Sequence, residues 1–305
     1  MTVPPNGLKR LHAELLSWYA LNARDLPWRK TSDPYAILVA EIMLQQTQVE
    51  RVVPKYQQFI RAFPSIDALA RATLGEVIKA WASLGYNTRA VRLHRLAQRL
   101  VQDHQEQVPT SVEGLRALPG LGPYTAAAVA CFAFGVATPV LDTNIYRVLS
   151  RVAYGTIPPA KREIEGLAAS WLPAQHASDW HQALMDVGAT VCTVSRPRCA
   201  ECPLQQHCKA ASSLRDAPSR ELAESSVPYS PKQSPFKGSS RYYRGRAVAA
   251  LASLPSGENL SLDDLGRRLL KNYDPAAHGN WLRTMLEQLQ QDGLVHLESG
   301  GAALP

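Results

Sequence analysis

Four of the five cysteines fall within seventeen consecutive positions, as Cys192, Cys199, Cys202 and Cys208. No other feature constrains the fold as tightly, because so short a loop can close around one metal centre, and thiolates select zinc or iron-sulfur clusters. A disulfide framework is the competing reading. It needs an oxidising compartment, and the N-terminus carries no pattern of a secretory signal. Spacing alone does not choose the metal. Zinc ribbons usually bring two separated C-x-x-C pairs, whereas only Cys199 and Cys202 form such a pair, which tilts the choice toward a [4Fe-4S] cluster. The fifth, Cys131, lies in the apolar stretch Ala126 to Phe134 and reads as a small buried hydrophobe.

Around this loop the chain reads as all-α. Amphipathic helical stretches run Leu8 to Leu21, Tyr35 to Phe63, Ile66 to Ala72, Leu74 to Leu84, Thr88 to Asp103, Ser111 to Ala117, Pro123 to Phe134, Asn144 to Val152 and Trp180 to Val191. The 305 residues, 46% of them hydrophobic, suffice for about two packed domains. No apolar run approaches the roughly eighteen residues of a membrane helix, so no membrane partner is expected. A net charge of +7 suits a polyanionic partner. Residues 211–240 shift to Ser, Pro and scattered charges, the composition of a flexible linker. Residues 241–305 then show three helical patterns, Tyr242 to Leu254, Leu262 to Leu270 and Trp281 to Gln291, and a short hairpin. That order resembles a winged-helix domain. Its third helix carries Glu287, Gln288, Gln290, Gln291 and Asp292 where a DNA-reading helix needs Arg or Lys, which favours packing or protein contact.

Between two helical stretches lies LPGLGPYT, Leu118 to Thr125. Gly120 and Gly122 permit a tight turn with open amides, and Pro123 suits the first helical position, so the helix start is a phosphate site or an ordinary αα-hairpin turn. Two carboxyls stand out by their surroundings. Glu41 interrupts the apolar run Ala36 to Leu44, where burial raises a carboxyl pKa and keeps a general acid protonated. Asp142 opens a helix, where the dipole favours the anion. A neutral and a charged carboxyl are the equipment for cleaving a glycosidic bond, although a core glutamate and a plain N-cap aspartate would look the same.

The cysteine spacing and the hairpin string resemble the endonuclease III superfamily of DNA glycosylases. The motifs AEIMLQQTQV (Ala40 to Val49), SLGYN (Ser83 to Asn87), LPGLGPYT, VLDTNIYRVLSR (Val140 to Arg151) and HQALMDVGATVC (His181 to Cys192) are similar to those of the MutY-type adenine glycosylases. The resemblance implies a helix-hairpin-helix glycosylase domain over residues 1–210 with a structural [4Fe-4S] cluster on the four cysteines. The implied reaction is removal of adenine opposite guanine or 8-oxoguanine from double-stranded DNA carrying a mismatch or lesion, by a monomer in the cytoplasm. In that family Glu41 is the general acid and Asp142 the group facing the sugar cation, with Tyr124 and Asn144 assisting. Gln46 and Tyr86 enter the DNA stack, Gln182 and Trp28 lie near the adenine pocket, and the Gly120 and Gly122 hairpin grips the DNA backbone, often with a monovalent cation. Bifunctional members carry lysine where this chain has Tyr124, so a monofunctional enzyme is implied, because a phenol cannot form the Schiff base that cleaves the strand.

Asn87 and Thr143 depart from the family's usual tyrosine and glycine, and residues 241–305 are too short and too helical for its Nudix-like domain. The base opposite the adenine is therefore left open. Removal of thymine or uracil from mismatches is the alternative activity, and an iron-sulfur DNA-binding regulator is the non-enzymatic one. Arg147 and Arg151, spaced i and i+4, would pair with phosphates or acids. Lys161, Arg196, Arg198 and Lys209 would turn positive charge toward DNA.

Overall fold

The computed structural model describes residues 5–216, 235–255, 257–298 and 300–305. Its helices are α1 (Pro5–Asn22), α2 (Pro34–Leu44), α3 (Val49–Ala62), α4 (Ile66–Arg71), α5 (Leu74–Trp81), α6 (Thr88–His104), α7 (Val112–Ala117), α8 (Pro123–Phe134), α9 (Thr143–Tyr154), α10 (Lys161–Trp171), α11 (Ala177–Asp186), α12 (Ala211–Asp216), α13 (Ser240–Ala252), α14 (Leu262–Leu269) and α15 (Pro275–Gln291). An antiparallel hairpin, β1 (His296–Glu298) and β2 (Gly301–Ala303), follows. The expected all-α class is observed.

The described residues form two compact units. The first takes them from 1–32, 110–113 and 122–231, and the second from 33–109, 114–121 and 232–305. In the first, α1 packs along α11, with the ring of His12 4.7 Å from Trp180. Leu11, Leu15, Trp171, Trp180 and Leu184 fill its core together with one side of the cysteine loop. α10 is absent from the sequence expectation, although Ile164, Ala168 and Trp171 bury one face of it.

In the second unit, caps set the helix starts. Ser65 accepts from the Ala68 amide at the start of α4, and Thr73 and Glu76 form a reciprocal capping box on α5. Phe59 packs edge-on against Phe63 and Trp81 at 4.9 and 5.8 Å. The single helix expected from Tyr35 to Phe63 is broken into α2 and α3 at Gln45–Gln48, where Gln46 takes φ 55.

The C-terminal helices share a core with α5 and α6. Ile78 and Val91 cluster with Leu251, Leu265, Leu282 and Leu286, and Lys79 Nζ donates to the Leu254 carbonyl at 2.9 Å. Gly75 lies so close to the chain end that a Cβ there would meet the Pro305 carbonyl oxygen at 2.6 Å. The expected three helices and hairpin are present in that order, and Leu260 bridges Ala302 as an extra strand position. α15 begins six residues before the apolar pattern does, because Asp274 caps it and Pro275 opens it. Of the expected linker, 211–216 is helical and 217–234 lies outside the described residues.

Candidate active site

Within the second unit, Glu41 lies on α2 among the buried run from Tyr35 to Met43 and is itself only 6% exposed. Gln46 and Tyr86 are exposed and both left-handed, at φ 55 and 48. Gly120 sits at φ 84, a conformation that favours glycine, and with Leu121 it borders a small cavity against Ile42, Gln45, Arg89 and Arg92. Gly122, in the first unit, differs. Its φ of −80 and ψ of 170 suit any residue, and a Cβ there would meet nothing, so only Gly120 carries the conformational requirement expected of both. Pro123 occupies the first turn of α8 as expected. Tyr124 follows it, partly buried against Ala127, Ala128, Cys131 and Val140.

Asp142 caps α9. Its Oδ1 accepts from the Ile145 amide at 2.7 Å, and its Oδ2 accepts from Asn144 Nδ2 at 2.9 Å. Burial raises the carboxyl pKa and outweighs these two hydrogen bonds and Arg147, the reverse of the lowering that a helix dipole alone predicts. Asn144 is held in turn, its Oδ1 accepting from Arg147 Nη2 at 2.9 Å. Gly188 makes this packing possible, since a Cβ there would lie 2.5 Å from Asn144 Cβ. It sits in a π-helical turn, Val187–Val191, that extends α11. Arg147 spans both, donating to the Gly188 carbonyl at 2.7 Å and the Cys192 carbonyl at 2.9 Å.

Trp28 and Gln182 are buried, 7% and 9% exposed. Asp186 joins their two elements one turn beyond Gln182. Its fully buried carboxylate accepts a bidentate pair from Arg29 at 2.7 and 2.8 Å and further bonds from Arg24. Burial pushes the Asp186 pKa up, but the two arginines outweigh it and the net direction is down. His181, beside Gln182, is 2% exposed; its Nε2 accepts from the Val140 amide at 3.0 Å and its Nδ1 pairs with the Ala177 carbonyl at 2.7 Å. Sequence reasoning passed over Asp186, His181 and Gly188. The only signal was their place within the motif HQALMDVGATVC.

All four clustered cysteines are free thiols lining one cavity with Val191, Pro197, Arg198 and Leu214. Among the described residues no three His, Cys, Asp or Glu groups are gathered tightly enough to hold a single metal ion. A four-iron cluster asks for a wider arrangement, one thiolate per iron around a cube, and four free thiols on one largely apolar cavity fit that donor set. Burial pushes Cys202 up to about 12 and Cys208 up to about 11, so their thiolates need a cation's charge to form. Arg151 is buried against the cysteine loop, donating to Cys192 Sγ at 3.3 Å and to the Thr193 and Val194 carbonyls at 2.8 and 3.1 Å. Arg151 thus bonds loop carbonyls, while Arg147 bonds both carbonyls and Asn144 and its charge acts on the nearby acid Asp142. Arg198 pairs with Glu201 at 2.8 Å and Lys161 with Glu165 at 3.6 Å, so these two cations already have partners.

Residues 39–174 match the family described as HhH-GPD superfamily base excision DNA repair protein. A protein of Mycolicibacterium smegmatis named adenine DNA glycosylase is 46% identical over 199 residues, covering 64% of this chain and 68% of that protein. The adenine DNA glycosylase of Mycobacterium tuberculosis is 44% identical, covering 62% and 64%. For the human adenine DNA glycosylase the values are 43% identity, 64% of this chain and 38% of that protein. Among solved structures, a thermostable thymine-DNA glycosylase is 30% identical with a TM-score of 0.62, covering 67% of this chain and 98% of that one. An endonuclease III trapped as a DNA covalent intermediate shares the fold at 22% identity and a TM-score of 0.60, covering 70% and 98%.

Proposed function

The chain belongs to the adenine DNA glycosylase family of the HhH-GPD superfamily, and from that premise we propose that it excises adenine from double-stranded DNA where adenine opposes guanine or 8-oxoguanine. The target nucleotide leaves the stack. Glu41 then protonates the departing adenine, the electrons of the glycosidic bond leave with the base, and Asp142 stabilises the sugar cation until water adds to it. A cation forming beside Asp142 favours its charged form against the burial that raises its pKa. Tyr124 orients the sugar, and Asn144 holds Asp142 through the 2.9 Å bond. Trp28 and Gln182 bound the adenine, with the Gln182 amide able to donate to and accept from its edge. With tyrosine at 124 there is no amine to form a Schiff base, so the product is an abasic site on an intact strand.

The observation that carries this reading is the seating of Asp142, capped by the Ile145 amide and locked by Asn144, Arg147 and Gly188. Such an array orients one carboxylate beyond what a helix start requires. The thymine glycosylase among the structural neighbours supports a second reading, release of a mismatched pyrimidine, at lower identity than the adenine relatives. Cys192, Cys199, Cys202 and Cys208 would hold a [4Fe-4S] cluster. Hydrolysis needs no electron transfer, and bound there the cluster would tie the loop together.

The roles are tested by Glu41→Gln and Asp142→Asn in single-turnover assays. Both variants are expected to bind the mismatch duplex and to release adenine at least about a hundredfold more slowly than the parent. Release at the parent rate from either one would remove that residue from the mechanism.

A further inference from the structure

A guanidinium carries five N–H donors and no acceptor, so burying one is costly unless its donors find oxygen atoms. Arg89, in the first turn of α6, is 5% exposed and meets this demand through two separate turns. At the end of α2, Nη1 donates to the carbonyls of Ile42, Met43 and Gln45 at 3.0, 2.8 and 2.5 Å, and Nη2 to Thr47 Oγ1 at 3.0 Å. In the SLGYN turn, Nη2 reaches the Gly85 carbonyl at 3.0 Å and Nε the Tyr86 carbonyl at 3.3 Å. The cation also lies 5.4 Å from the Trp81 ring centroid and 5.5 Å from that of Tyr86. Burial lowers its pKa to about 10, which leaves it charged at neutral pH.

The residues these bonds bracket are unusual. Gln46 lies between Gln45 and Thr47, both bonded to Arg89, and Tyr86 is bonded to it directly. Both are exposed, and both hold the left-handed backbone that side chains other than glycine, asparagine and aspartate seldom adopt. A conformation of that kind persists where the surroundings over-determine it, and here the shared surrounding is one guanidinium.

We propose that Arg89 is a positioning residue that fixes the Gln45–Thr47 and Gly85–Tyr86 turns to one another, so that Gln46 and Tyr86 meet the DNA stack as a pre-set pair. The inference rests on the reading above that these two side chains enter the duplex. Lysine keeps the charge, but its three donors on a single nitrogen cannot span the oxygens of both turns. Arg89→Lys therefore loosens the pair without removing the cation.

The test uses the full-length protein with Glu41→Gln to stop chemistry, and a duplex with 2-aminopurine at the target position opposite 8-oxoguanine. Its fluorescence rises when the base leaves the stack. Adding Arg89→Lys is expected to cut that rise at saturating protein by at least half, and to slow adenine release by the Glu41 protein at least tenfold per folded molecule. Thr47→Val, which removes one of the bonds, is expected to move both readouts the same way by less and guards against a folding defect in Arg89→Lys. A fluorescence rise and a release rate unchanged in both variants, with the parent active, would overturn the inference and leave the glycosylase reading standing. Absence of adenine release and of the rise with Arg89 intact would overturn that reading and this inference with it.

Discussion

Acidification should destabilise this protein through one buried ring. The Val140 amide can only donate and the Ala177 carbonyl can only accept, so His181 is neutral, with its proton on Nδ1 and a lone pair on Nε2. Protonating Nε2 turns an N–H against an N–H and buries a charge. Burial accordingly holds its pKa down at about 4, against an ordinary value of 6.5. Between these values the unfolded chain binds a proton that the folded one refuses, so stability rises with pH across the window and is lost as pH falls. The difference is worth about 3 kcal/mol in full, of which about 2 kcal/mol is gone by pH 5. Val140 lies two residues before Asp142, so the same protonation withdraws support from the segment that delivers the carboxylate. Urea unfolding at several pH values between 7 and 5 measures the effect, with His181→Gln as a non-titrating control. The parent should lose about 2 kcal/mol more than the variant over that range. Parallel curves would refute the assignment of a neutral, amide-accepting ring.

Two further outcomes follow from the first unit. Gly188→Ala would place a Cβ 2.5 Å from Asn144 Cβ. It should cost about 1–3 kcal/mol of stability and, by shifting Asn144 and Asp142, slow base release at least about tenfold; unfolding and single-turnover rates check both. The purified protein should carry iron and acid-labile sulfide near four of each per chain, roughly as one cubane on four thiolates requires, and should lose them when any of the four cysteines is changed to serine. A colourless protein with stoichiometric zinc and no sulfide would contradict this.

The elements that sequence made legible are those whose signals are local. Asp142 as a cap, Pro123 at a helix start and the four-cysteine loop are written within a few residues. The break at Gln45–Gln48 is only half written there, because the polar run Gln-Gln-Thr-Gln also reads as the solvated face of a continuing helix, and the turn bonds to Arg89, more than forty residues later. Arg147 and Arg151 were legible only in part, for a related reason. Their spacing on one helix face is visible, but many of their bonds go to backbone carbonyls of 188–194, which carry no side-chain signature. The start of α15 is written in Asp274-Pro275, ahead of the apolar pattern, which begins later. Gly188 shows the same limit at the site itself, since only the folded chain shows that Asn144 lies against it.

Adenine-specific base release is decided by identifying which free base leaves the duplex. Single-turnover assays would take duplexes with adenine opposite 8-oxoguanine, guanine or cytosine, and with thymine or uracil opposite guanine, and identify the free base released. Free adenine is expected from the guanine and 8-oxoguanine duplexes, with an abasic site on an unbroken strand and no pyrimidine. Release of thymine or uracil alone, or of no base from any duplex, would contradict that expectation.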